Sequence, residues 1–251
     1  MAENRELYAR YEEALLRRDN LKREAEHYRW DYVSTFGGLI TEAFELKVEC
    51  IRLKKMIAFC QRQVNLGRKV EWAGMTAAVE EEMTEYVTRL EAMQQEYAAA
   101  LDAKPVSAAD LAKIKKAYYR LVKKLHPDLH PDLAEDETVK TYWAQISLAY
   151  QGNNLARLEE LELLVAAYLE SIGYADAFPE IDDLEAKIVA VEQEIQTILA
   201  TVPYTYKFLL DDPVSVRDKK QELKDEIASY RKYLKELEEV LAGFQVERTL
   251  S

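Results

Sequence analysis

Glycine and proline are scarce in this sequence, with 7 and 6 residues among 251. These residues supply many tight turns and chain breaks, so their scarcity argues against a turn-rich β fold and against a Pro/Gly-rich disordered chain. Charged residues make up 32% of the chain and hydrophobic residues 49%. This composition favours long helices over β structure or disorder, and the sequence therefore predicts an all-α fold.

Cysteine and histidine are also rare. Cys50 and Cys60 lie ten residues apart in one predicted helix, about 15 Å along its axis, so they cannot bridge each other there. The sequence has no CxxC pair, and the three histidines do not complete a metal site. We therefore expect no metal and no cofactor. The opening residues, MAENRELYAR, contain no cationic and apolar leader, so export is not expected, and a reducing cytoplasm fits the free thiols.

Basic residues are fewer than acidic ones: the chain has 34 Lys and Arg and 46 Asp and Glu, which gives a net charge of −12. An acidic chain argues against general binding to nucleic acid or to an anionic membrane. Long apolar runs are missing too. The longest uncharged run, residues 141–156, includes Gln, Gly and Asn, so the sequence predicts no membrane span.

Apolar residues recur at steps of three and four in both terminal parts of the chain, as in coiled coils. Three such stripes, with a break predicted at Ser34 to Gly38, indicate a three-helix coiled-coil region over residues 1–97. Arg18 is the one polar residue at a stripe position of the first helix. Two further stripes on either side of Pro203 predict an antiparallel helical hairpin over residues 173–251.

The central stretch, IKKAYYRLVKKLHPDLHP at residues 114–131, has a different character. Its apolar spacing predicts a helix with one buried stripe, and the other faces are basic. Residues 104–128 contain seven Lys or Arg and two Asp, a net charge of +5. Pro127 disfavours helical geometry at His126, so the helix should end there. We therefore expect His126, Pro127 and Asp128 to lie exposed in a loop at the end of a cationic helix.

This stretch resembles the J domain, the module by which DnaJ-type co-chaperones engage ATPases of the DnaK class. The second helix and loop of that family typically read IKKAYRxLxxxxHPDxxP, and this chain follows the pattern with one extra helical residue at most. The third helix typically reads FxxIxxAYxxL. The matching residues are Ile114, Lys115, Lys116, Ala117, Tyr118, Leu121, His126, Pro127, Asp128 and Pro131, followed by Trp143, Ile146, Ala149 and Tyr150.

Two features depart from the family pattern. The His-Pro-Asp tripeptide occurs again at residues 130–132, and register favours the first copy because it follows the basic helix directly. The Leu-Gly-Val turn that usually ends the first helix is absent. Residues 97–103 stand in that region without a glycine, which predicts that the first helix is the tail of a longer one. We place the J-like domain at residues 98–172.

The resemblance implies docking on a DnaK-class ATPase chaperone, with no chemistry performed by this chain, so an enzyme is not expected. In the family, the basic second helix faces an acidic patch on the ATPase and the His-Pro-Asp loop promotes ATP hydrolysis by that partner. The architecture expected is a J-domain helical unit embedded between antiparallel coiled-coil helices. The residues assigned to partner binding are His126, Pro127, Asp128, Lys115, Lys116, Arg120, Lys123 and Lys124.

Other interpretations stay open at this point. The J fold could serve only as a scaffold in a coiled-coil adaptor or structural protein. The coiled-coil arms could pack within the chain, bind another coiled-coil protein or form a homodimer. An enzyme using His126 or His130 lacks a supporting pocket, phosphate loop or metal cluster in the sequence. Nucleic-acid binding by the basic helix is opposed by the acidic residues around it.

Overall fold

The described part of the chain, in this computed structural model, comprises residues 2–102, 106–174 and 181–246. These residues form helices and no strands, which confirms the predicted all-α fold. The helices are α1 (Ala2–Asn65), α2 (Trp72–Asp102), α3 (Ala108–Leu125), α4 (Glu137–Gln151), α5 (Leu155–Ser171), α6 (Leu184–Ala200), α7 (Tyr206–Leu210) and α8 (Pro213–Val246).

The central helices begin at polar residues that cap their free amide groups. The Ser107 hydroxyl accepts a hydrogen bond from the Asp110 N–H at the start of α3. Asp136 accepts from two amides at the start of α4, and the Asn154 side chain accepts from the Arg157 N–H at the start of α5. Such caps satisfy amides that have no partner within the helix, and they set where each helix begins.

The break predicted at Ser34 to Gly38 is wrong, because α1 is one continuous helix of 64 residues. Its glycines lie against the ring of Tyr97 from α2. A Cβ added at Gly37 would lie 2.7 Å from Tyr97 Cδ2, and one added at Gly38 would lie 2.9 Å from the Tyr97 hydroxyl oxygen. Glycine weakens an isolated helix, but here it makes room for a packed aromatic ring. The predicted three-helix region is therefore two helices, α1 and α2.

Two compact units divide the chain, and each combines segments that are distant in sequence. Unit 1 consists of Met1–Arg29 and Lys104–Lys207. Its core joins the first part of α1 to α3, α4, α5 and α6. Core residues with little or no exposure include Tyr11, Leu15, Ile114, Leu121, Leu125, Ile146, Leu158, Leu161, Val165, Ile188 and Ile195.

Unit 2 consists of Trp30–Ala103 and Phe208–Ser251. Its core draws on the later part of α1, on α2 and on α8. Its main cluster of buried residues is Val48, Cys50, Leu53, Cys60, Met75, Val79, Met83, Leu237 and Leu241. Both cysteines are free and buried, in agreement with the prediction that they do not pair.

The predicted start of the J-like domain does not coincide with the unit boundary. Residues 98–102 end α2, as predicted for the tail of a longer helix, and they group with unit 2. The first part of α1 packs with α3 to α5 instead. The domain limits at residues 97 and 172, and the C-terminal hairpin, stay predictions. None of the described helices is long and apolar enough to span a bilayer.

Candidate functional site

Helix α3 carries the cationic face predicted from the sequence. It is strongly amphipathic and buries Ile114, Ala117, Tyr118, Leu121, Val122 and Leu125. Three of the cations assigned to partner binding, Lys116, Arg120 and Lys123, are exposed, whereas Lys115 and Lys124 are half-buried. The apolar stripe therefore fixes the helix in unit 1 and leaves basic side chains on its outer faces.

The His-Pro-Asp loop begins where α3 ends, at His126 in extended geometry. A tight turn follows, in which the His126 carbonyl accepts hydrogen bonds from the N–H groups of Leu129 and His130, both at 2.9 Å. The Asp128 N–H donates to His126 Nδ1 at 3.0 Å. Because an N–H can only donate, Nδ1 is the acceptor in this contact.

The prediction that the whole tripeptide is exposed is wrong for His126, which is only 2% exposed. Its ring packs edge-on against Trp143, with the ring centroids 4.5 Å apart. Burial lowers the pKa of His126 to about 4, although the carboxylates of Asp19 and Asp128 act in the opposite direction. The ring is buried because side chains of α1 also pack around it, and α1 is distant from the loop in sequence. Asp128 keeps a side chain that is 43% exposed.

Two residues of α1, Arg18 and Asp19, complete the site. Arg18 Nη2 lies 3.3 Å from His126 Nε2, and Arg18 Nη1 lies 3.6 Å from Asp128 Oδ2. Arg18 also donates to Asp19 Oδ1 at 2.9 Å. The only signal in the sequence was Arg18 itself, the one polar residue at a stripe position of that helix. Asp19 gave no such signal.

Asp19 is held on its other side by Tyr118 of α3. The Tyr118 hydroxyl donates to Asp19 Oδ2 at 2.8 Å, and Asp19 Oδ2 lies 3.8 Å from His126 Nε2. Burial and the Asp19 carboxylate raise the pKa of Tyr118, so the phenol stays protonated and acts as a donor. The Tyr118 ring stacks on Tyr150 of α4 with centroids 3.7 Å apart. The site is thus a buried polar network enclosed by aromatic rings.

Two of the five cations assigned to docking are paired with carboxylates of unit 1. Arg120 makes two hydrogen bonds to Glu162 of α5, at 2.5 and 2.7 Å, and this contact lowers the pKa of Glu162. Lys123 Nζ lies 2.9 Å from Glu12 of α1. The cationic face is therefore partly neutralised by this chain's own acidic groups.

The second His-Pro-Asp copy has a structural role in the loop. His130 is 4% exposed, and its Nε2 lies 2.7 Å from the carbonyl oxygen of Lys123. A carbonyl can only accept, so Nε2–H donates, which satisfies an acceptor in the last turn of α3. His130 Nδ1 lies 3.2 Å from the Tyr174 hydroxyl, and Asp132 is exposed. This copy caps the helix end.

The arrangement offers recognition groups and no assembled ligand set for a metal. Within residues 2–102, 106–174 and 181–246, no group of three or more His, Cys, Asp or Glu side chains is placed to hold a metal ion. The chemical groups accessible at the surface are the Asp128 carboxylate and the basic side chains of α3. Such a surface suits an acidic protein partner, because unlike charges orient and speed docking.

Comparison with known proteins bears directly on this site. Residues 104–152 match the family model described as DnaJ domain; the match includes α3, the loop and α4. No curated protein matches the chain. No solved structure matches it either. The match confirms the resemblance seen in the sequence, and residues 104–152 of this chain form a DnaJ domain.

Proposed function

We propose that this protein is a co-chaperone that docks on a DnaK-class ATPase and stimulates its hydrolysis of ATP. The observation that carries the proposal is the DnaJ-domain match at residues 104–152, which contains a His-Pro-Asp loop at the end of a cationic helix. J-domain proteins generally act as co-chaperones without enzymatic activity of their own. In this chain, contacts of the loop and of α3 with the partner ATPase would raise the rate at which that partner hydrolyses ATP.

The residues proposed for docking divide into three groups by exposure and pairing. Asp128 and Lys116 present charged groups at the surface, and Pro127, half-buried, fixes the turn between the helix and the carboxylate. Arg120 and Lys123 are exposed but engaged in ion pairs within unit 1. Because exposed ion pairs contribute only about 0 to 1 kcal/mol, a partner with its own carboxylates can exchange for Glu162 and Glu12. Lys115 and Lys124, both half-buried, complete the proposed surface, and His126 lies buried beneath it.

The experiment is single-turnover ATP hydrolysis by a DnaK-class ATPase, with the wild type and two matched variants. Asp128→Asn keeps the shape of the side chain and removes its charge, and Asp132→Asn makes the same change in the second tripeptide. We expect stimulation by the wild type, its loss in Asp128→Asn and its retention in Asp132→Asn. Equal rates with wild type and Asp128→Asn would contradict the proposal. Stimulation should weaken as salt rises, because ions screen the basic face.

One observation favours a second candidate, a structural adaptor in which the J fold is a scaffold. His126 is buried by α1 and Trp143, and a fixed loop of this kind suits a scaffold. In that case the coiled-coil stripes would supply the function, through another coiled-coil protein or a second copy of the chain. A pull-down that recovers such a partner, and no ATPase under either ATP or ADP, would support the adaptor.

We propose a cytoplasmic location on the strength of the thiols. Cys50 and Cys60 are both free and buried in unit 2, which fits a compartment that keeps thiols reduced. The net charge of −12 argues against nucleic acid as a partner, and retention of the protein on DNA or RNA at low salt would contradict that part of the proposal.

A further inference from the structure

We infer that the first part of α1 masks the His-Pro-Asp loop from its partner, so that stimulation of the ATPase requires local release of α1 from the loop. This inference rests on the proposed function and adds a regulatory contact to the same site. The masking segment is residues 7–22 of α1. It is distant in sequence from the DnaJ domain, yet both belong to unit 1.

Arg18 is the centre of the mask. Its guanidinium lies against both ends of the tripeptide, 3.3 Å from His126 Nε2 and 3.6 Å from Asp128 Oδ2. Its side chain is 12% exposed, and it also lies 3.7 Å from Glu194 of α6. A partner that needs the Asp128 carboxylate must therefore compete with a cation already placed beside it.

The mask extends along α3 through Glu12. Its carboxylate lies 2.9 Å from Lys123 Nζ, one of the cations of the proposed docking face. Between the two charged contacts, Tyr11 and Leu15 are 3% and 0% exposed in the core of unit 1. The apolar residues thus hold α1 against α3, while Glu12 and Arg18 neutralise docking groups of opposite sign.

The loop itself does not need α1 to keep its turn. The His126 carbonyl accepts from two amides of the same loop, and the Asp128 N–H donates to the His126 ring. By contrast, several of the charged groups around Arg18 are half open to solvent, including Glu194 and Asp128. The ion pairs of Arg18 with these two carboxylates therefore contribute little net stability, while Tyr11 and Leu15 keep the apolar face of α1 packed. A partner with differential affinity for the released loop can therefore shift the balance toward the open form.

The test uses the full-length chain and reverses one charge at a time. Arg18→Glu places a carboxylate beside Asp128, Asp19 and Glu194, so repulsion should open the mask. Arg17→Glu makes the same charge change at the neighbouring exposed residue and is the control. Access to the loop is measured as the rate at which diethyl pyrocarbonate modifies His126, with the exposed His27 as internal reference. Stimulation is measured as single-turnover hydrolysis by a DnaK-class ATPase.

We expect Arg18→Glu to raise both the modification rate of His126 and the stimulation by about tenfold, with Arg17→Glu unchanged in both. Where circular dichroism shows that Arg18→Glu is unfolded, Glu12→Gln takes its place. That variant removes the carboxylate charge that faces Lys123, and we expect a rise of about twofold to threefold in stimulation.

The two readouts separate failure of the mask from failure of the proposed function. If His126 of the wild type reacts as fast as His27, or if the wild type stimulates as strongly as the opened variant, the mask is refuted and the co-chaperone function stands. If the opened variant exposes His126 and no protein stimulates the ATPase, the proposed function fails and the mask fails with it.

Discussion

Unit 1 and unit 2 fill their interiors with different chemistry. Among the described residues, the buried polar or charged side chains of unit 1 are Asp19, Arg23, His126 and His130, whereas unit 2 contributes Thr41. The core of unit 2 is otherwise built from aliphatic side chains, methionines and two thiols. Unit 1 adds ionisable groups to a larger apolar core.

The buried ionisable groups of unit 1 mark a place where stability alone does not explain the choice of residues. Burying a charge or an imidazole costs free energy unless it is well partnered, and an apolar residue of similar size would often be at least as stable. Three of the four buried polar side chains of unit 1, Asp19, His126 and His130, lie at the His-Pro-Asp loop or at the adjoining end of α3. The fourth, Arg23, donates to Asn153. Among the described residues of unit 2, no such network of ionisable groups is buried.

The largest loss of stability should come from substitutions that create a cavity in each of the two cores. Leu15 of unit 1 and Met83 of unit 2 are both 0% exposed. Leu15→Ala and Met83→Ala should each lower the free energy of unfolding by about 2 to 5 kcal/mol, measured by urea denaturation. Only Leu15→Ala removes a side chain of the mask, so only this variant should speed hydrogen exchange at the amides of residues 128–130. Unchanged exchange in Leu15→Ala would contradict the role given to α1.

A smaller effect should appear as pH dependence from a histidine of unit 1, to which the three histidines of the chain, at 27, 126 and 130, all belong. The folded-state pKa of His126 is lowered to about 4, against an ordinary value of 6.5. Between these values the unfolded chain binds a proton that the folded chain does not. Stability should therefore fall as the pH drops from about 6.5 to about 4, by up to about 3 kcal/mol, and should change no further through this group below that range.

The variant His126→Gln should flatten this slope, because glutamine does not titrate. His27→Gln, at an exposed position, is the control and should keep the slope of the wild type. The measurement is the free energy of unfolding at half-unit steps from pH 7 to pH 4. An identical slope in His126→Gln and the wild type would show that the imidazole is not the origin of the effect.

The smallest effect concerns the aromatic packing of unit 2. Gly37→Ala should lower the free energy of unfolding by about 1 to 3 kcal/mol, because the new Cβ would meet the Tyr97 ring at 2.7 Å. Gly243 of α8 has no neighbouring atom within 4 Å of an added Cβ, so Gly243→Ala should instead stabilise by up to about 1 kcal/mol. Thermal melting distinguishes them, and equal stabilisation by both substitutions would refute the close approach of Tyr97.

Helix α3 and its loop were predictable because their determinants are local. The apolar stripe, Ser107 at the start and Pro127 after the end set the limits of α3 within a few residues. The pattern of the DnaJ domain was readable for the same reason, since its motif lies within one continuous stretch. The predicted break at Ser34 to Gly38 failed because it depended on glycine propensity alone, and Tyr97, about sixty residues away, supplies the packing that overrides it.

The burial of His126 was not predictable from the loop, because Arg18 lies more than a hundred positions earlier and Trp143 lies on another helix, α4. Arg18 was visible as a polar residue on an apolar stripe, but nothing local indicates which group it meets. The role of His130 was not predictable either. Its ring caps α3 only because the loop turns back and brings it to the carbonyl oxygen of Lys123.

The sequence by itself determined the helical class, the cationic helix and the tripeptide that mark the DnaJ domain, because these follow from short-range periodicity and from residue chemistry. Only the tertiary structure decided that α1 joins the DnaJ domain in one core and that Arg18 and Asp19 enclose His126. The physical reason is that burial and ion pairing depend on distances across the fold, and those distances are set by how amphipathic helices meet and not by the spacing of residues along any one of them.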